Sequence, residues 1–84
     1  MARYVALPVE IDAWLWTGDP DDLPQSEWDT GLYTMTLRGV LIIQTLEGPA
    51  RALPEAHFVA KGTKDERYPI RVDVMAEKYR EVAA

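Results

Sequence analysis

Two β-rich runs, LYTMTL at residues 32–37 and VLIIQTL at residues 40–46, are separated by Arg38-Gly39 alone, and they constrain this chain most. Their β-branched and aromatic residues suit a pleated, half-buried surface better than a helix. A two-residue connection is the length of a tight hairpin loop, and glycine supplies the positive φ such a loop requires. Residues 40–43 are apolar at every position, which predicts a central strand covered on both faces. An antiparallel sheet is therefore the frame for the rest of the chain.

The stretch VEIDAWLW at residues 9–16 fits that frame, because it alternates with period two. Val9, Ile11, Ala13 and Leu15 share one face; Glu10, Asp12, Trp14 and Trp16 share the other. Residues 3–7 also read as strand, and Pro8, which has no ladder donor, puts an edge or a bulge between the two. Thr17-Gly18-Asp19-Pro20 ends the strand with turn chemistry. Asp19 is then placed to cap a short helix over 21–28, with Pro20 at its first position, Leu23 and Trp28 as apolar anchors, and Pro24 keeping it short or irregular. Folded back, Leu23 and Trp28 would cover Trp16. Further short strands are expected at 50–53, 57–61 and 67–70. Val72, Met75, Ala76, Tyr79 and Val82 recur at helical spacing, which predicts an amphipathic helix of about three turns laid across one sheet face, with Asp73 as its cap. The expected class is α+β: one domain over residues 1–84, with a small antiparallel β-sheet, curled or barrel-like, and one C-terminal α-helix. A short helical or irregular acidic segment follows the first strand.

The charge of −5 is segregated. Asp19, Asp21, Asp22, Glu27 and Asp29 fall between residues 17 and 30 with no base among them, whereas Arg51, Lys61, Lys64, Arg67, Arg71, Lys78 and Arg80 come later. Such a bipolar chain is a poor candidate for direct nucleic-acid binding, which favours a uniformly basic surface. The absence of cysteine removes disulfides, thiol catalysis and cysteine metal sites, and fits a reducing cytoplasm. Residues 40–43 form too short an aliphatic run for a membrane span, and Glu10 and Asp12 cut the N-terminal apolar stretch too early for a signal peptide.

Few side chains suggest catalysis. Ser26 and His57 are the sole serine and histidine, with no nucleophile elbow around either. His57 reads as structural or surface, with general acid–base work as the sharper alternative. Glu10 and Asp12 would project the same way about 7 Å apart, a glycosidase-like separation, but neighbours on one strand face are ordinarily just solvated. Asp19, Asp21 and Asp22 lack the glycine and distal glutamate of a calcium loop. No catalytic residue, cofactor or metal is expected. Two binding surfaces are. Lys61, Lys64, Arg67 and Arg71 surround Gly62 and include Tyr68, a set that could hold a nucleotide-like anion through cations and a stacking ring; the plainer reading is surface ion pairs with Asp65, Glu66 and Asp73. Trp14, beside Asp12, is the aromatic best placed to meet a partner, and the acidic segment itself could meet a basic protein surface.

Taken in order, several segments resemble a family of small phage and prophage proteins: PVEIDA at 8–13, WTGD at 16–19, TLEG at 45–48, Lys61-Gly62, Glu66, Tyr68-Pro69-Ile70, Asp73 and Tyr79. In that family a PVxIxAxxWTG strand precedes a TLEG turn and a closing KGxxGExYPxxPDxFxxxYE segment. This chain departs from the pattern where a Pro-Gly-Asp turn reads Pro54-Glu55-Ala56, where a glycine before Glu66 is Asp65, and where an aromatic is Met75. The resemblance implies a phage source and action in the cytoplasm of an infected host, with no assigned molecular activity. The readings that follow are a non-catalytic binder of a host protein, such as a defence component; an oligomeric binder that sequesters a nucleotide-like small molecule; and a minor phage structural or assembly protein.

Overall fold

A computed structural model describes residues 2–3 and 10–80. Residues 4–7 of the strand expected over 3–7, the Pro8 interruption and Val82 of the helical stripe lie outside the described residues. The chain is α+β, and its described residues build two three-stranded antiparallel sheets. Strands β1 (Asp12–Leu15), β5 (His57–Lys61) and β6 (Arg67–Arg71) form one, in the order β1-β5-β6. Strands β2 (Tyr33–Met35), β3 (Leu41–Thr45) and β4 (Gly48–Ala52) form the other, in the order β2-β3-β4. Among the described residues the expected single sheet, curled or barrel-like, is instead two sheets with no closed barrel: β3 and β4 lie against β6 without a shared ladder.

The core fills the space between the sheets. Trp16, Leu41, Ile43 and Val59 are fully buried there, joined by Leu23, Tyr33 and Ala52. Period two explains the choice. Register places Tyr33 opposite Ile43 and Ala50, and Met35 opposite Leu41 and Ala52, so one face of the second sheet points inward. Its other face carries Thr34, Ile42 and Arg51 in one cross-strand row, with Ile42 half-buried. β3 is central, as expected, and among the described residues its Leu41 and Ile43 face is fully buried while Ile42 on the other is half-buried.

In the first sheet the tryptophan face is the inward one. Trp14 pairs with Val59 and packs on the core, while Trp16 ends the strand beneath Trp28, their rings 6.3 Å apart at 63°. The Trp16 indole Nε1–H donates to the Gly39 carbonyl at 2.7 Å, binding this strand to the β2–β3 loop of the opposite sheet. Gly18 and Gly39 meet there; a Cβ on Gly39 would stand 3.4 Å from the Gly18 Cα, and both glycines have positive φ.

The acidic segment is split rather than a single helix. A 3-10 turn (Pro20–Asp22) has Asp19 as its cap and Pro20 at its first position; Pro24 then interrupts, and α1 (Gln25–Trp28) is one turn long. Helix α2 (Val72–Lys78) runs for seven residues, shorter than three turns, and packs on β5 and β6. Asp73 is not its cap. Pairing of His57 with Arg71 keeps the backbone extended to Arg71, which becomes the N-cap, and Asp73 falls in the first turn.

Candidate functional site

An open groove of about 470 Å³ lies where the acidic segment meets the edge of β2 and is lined by Pro20, Asp21, Leu23, Gln25, Trp28 and Met35. Its walls come from the segment's own punctuation. The capped turn presents Pro20 and Asp21, Pro24 redirects the chain, and α1 swings Trp28 over Trp16 and Tyr33, the latter 5.8 Å away. The Trp28 indole N–H donates to the Pro20 carbonyl at 2.9 Å, which fixes the ring's tilt. Met35 closes the far wall and is 40% exposed.

The acids of this segment divide sharply. Asp19 and Asp22 form a reciprocal capping box, and Asp22 Oδ2 also accepts from the Thr17 backbone N–H at 2.6 Å and the Thr17 hydroxyl at 2.8 Å. Asp29 accepts from the Gln25 amide at 2.9 Å. Asp19, Asp21 and Asp29 stay exposed and Asp22 half-buried, with Asp21 lining the groove, while Glu27 has gone inside.

Glu27 is 4% exposed, and so is Arg67, forty residues further on. Arg67 Nε and Nη2 donate to the two carboxylate oxygens at 2.9 Å each, a bidentate fork. The Tyr33 hydroxyl donates to Glu27 Oε1 at 2.7 Å. Arg67 Nη1 donates to the Asp65 carbonyl and sits 3.1 Å from its carboxylate. The guanidinium holds the Glu27 carboxyl below its ordinary range, against the opposing effect of burial. Burial pushes the Tyr33 phenol up, and the carboxylate it bonds pushes it further. Glu27 raises Arg67 in turn, outweighing its desolvation. Neither member of this pair is a surface binding group.

The basic loop loses its expected coherence for the same reason. Besides Arg67, Arg71 pairs with Asp73 at 2.8 Å, and Lys61 lies 3.5 Å from Asp65. Lys64 stays exposed, and its backbone N–H donates to Glu66 at 3.1 Å. Tyr68, its phenol raised by burial and by Tyr79, lines a second groove of about 360 Å³ with Thr45, Leu46, Glu47, Glu66 and Pro69. The TLEG-like and GExYP-like segments thus face one another across it. Trp14 is half-buried against the core, and Asp12 stays exposed opposite Lys61. His57 Nδ1 accepts the Leu53 backbone N–H at 3.0 Å, which occupies that nitrogen with a turn.

Of the acidic set the structure therefore brings Asp21 to the groove, and of the basic set it engages Lys61, Arg67 and Arg71 in ion pairs. Trp28 and Met35 are the groove residues that the sequence did not single out for binding. Their signal was an edge strand following a cluster of acids. Among the described residues no helix is long and apolar enough to cross a membrane. Comparison with protein-family models, with curated proteins and with solved structures finds no match to this chain.

Proposed function

We propose that this is a small phage-encoded, non-catalytic binding protein that acts in the infected host by seating on a host protein, a role suited to inhibiting a defence component. The observation that carries the reading is the open Trp28–Met35 groove with the exposed carboxylate of Asp21 in its lining, within a segment that also carries Asp19, Asp22 and Asp29. Apolar walls supply contact area, and like charges around them select a basic counterpart. The internal pairing of Arg67 and the Arg71–Asp73 and Lys61–Asp65 pairs weigh against sequestration of an anionic nucleotide at the basic loop.

The phage resemblance gains support from the backbone. Glu55 and Asp65 have φ of 62° and 64°, and these are the two positions where this chain replaces a glycine of the family pattern. Glycine is the residue that adopts this region without penalty, so the pattern and the local geometry agree at both.

The test is affinity capture from infected cells with the tagged protein and with its Asp21→Asn/Met35→Ala variant, analysing both proteins and nucleotides. One host polypeptide held by the first and lost by the second is the expected result. Equal retention by both, or a bound nucleotide with no polypeptide, would overturn the reading.

A further inference from the structure

We infer that the outer edge of β2 receives an extended basic segment of the partner protein as an added strand, with an apolar side chain of that segment seated in the Trp28–Met35 groove; this rests on the protein-binding reading above. The backbone makes the edge available. The Gln44 N–H donates to the Leu32 carbonyl at 2.8 Å and the Thr36 N–H to the Val40 carbonyl at 2.9 Å. In an antiparallel ladder hydrogen-bonded pairs alternate, so residues 32, 34 and 36 bond inward to β3. Tyr33 and Met35 therefore aim their N–H and C=O groups outward, away from β3. Among the described residues no side chain or loop backbone bonds to those groups.

The other edges are protected in the ways sheets ordinarily use, by proline or charge. Outer strand β1 carries Asp12, β4 carries Pro49 and Arg51, and β6 carries Arg67, Pro69 and Arg71. β2, with the sequence Tyr-Thr-Met, is the one described outer strand with neither. It is also the one whose side chain, Met35, forms a groove wall. Strand addition supplies affinity through the main chain and specificity through alternate side chains. Here an apolar residue would enter the groove, and an arginine or lysine two residues along, on the same strand face, would meet Asp21 in its lining. Between residues 17 and 50 the sole base is Arg38, so the carboxylates meet little internal competition.

The test uses the full chain and an acetylated, amidated octapeptide, Thr-Arg-Thr-Val-Thr-Arg-Thr-Thr, which puts its valine and both arginines on one strand face. Controls are its glutamate counterpart and an arginine peptide N-methylated at alternate residues, which cannot complete a ladder. The arginine peptide should slow amide hydrogen exchange at Tyr33 and Met35 by about tenfold, the scale of one added hydrogen bond. The glutamate peptide should leave them unchanged, and N-methylation or Met35→Pro should abolish the slowing. Pro at residue 35 deletes an outward donor and spares the bonds to β3. Binding without slowing at these two amides, or binding indifferent to charge or N-methylation, would overturn strand addition; so would no binding. A host polypeptide captured through the groove with no slowing at β2 would overturn this inference and leave the binding reading standing. Protection by the peptide with no captured polypeptide would do the reverse.

Discussion

Two ion pairs of nearly identical length sit in opposite surroundings. Arg67 meets Glu27 at 2.9 Å with side chains 4% and 6% exposed, whereas Arg71 meets Asp73 at 2.8 Å with side chains 69% and 57% exposed. Distance does not distinguish them; what surrounds each does. At the surface, water and salt do most of what the partner does, and exposed pairs contribute little. Inside, each charge has lost its hydration, and the bidentate fork and the Tyr33 hydroxyl must replace it. The buried pair also joins α1 to β6, and Tyr33 adds β2, so it links the acidic segment to both sheets.

Breaking the contrast at its strong end gives the largest effect. Glu27→Ala leaves the Arg67 charge buried without its carboxylate and should cost about 3–5 kcal/mol, a large share of a small domain's stability, read by urea unfolding. Acid does the same reversibly. The folded Glu27 carboxyl lies below its ordinary value of 4.5, so its contribution is complete above that pH and is lost as pH falls through the folded value. Urea midpoints should decline on that acid limb, and Glu27→Gln should flatten the decline. A smaller step is Tyr33→Phe, which removes one hydrogen bond to the carboxylate and should cost about 1–2 kcal/mol by the same measurement. Arg71→Ala, at the weak end, should shift stability by under about 1 kcal/mol and lose even that in high salt. An Arg71→Ala effect equal to that of Glu27→Ala would remove the distinction.

The same contrast says what could be read from the residues alone. Strand β5 and the cover of Trp16 by Leu23 and Trp28 were legible, because period two and proline-bounded turns act locally. The capped turn at Asp19-Pro20 was legible for the same reason. The partition into two sheets was not, since it depends on which strands meet after the chain has turned back. Nor was the fate of the charges. Glu27 sits among five acids and Arg67 among basic loop residues, and composition cannot say that one of each leaves water for the other across forty positions. A faint signal existed: in a β5–β6 hairpin Pro69 falls opposite Val59, which puts Arg67, two residues away, on the core-facing side. Helix α2 came out short because β6 pairing claims Arg71 first, a competition that periodicity does not register.

The bond from the Trp16 indole to the Gly39 carbonyl has an optical consequence. It fastens a fully buried ring, edge-on to Trp28, across the gap between the sheets. Parting the sheets would hydrate that ring and break its fixed angle to its neighbour. Red-shifted tryptophan emission and loss of the near-ultraviolet dichroism should then appear together, so that the chain carries its own gauge of sheet-to-sheet closure.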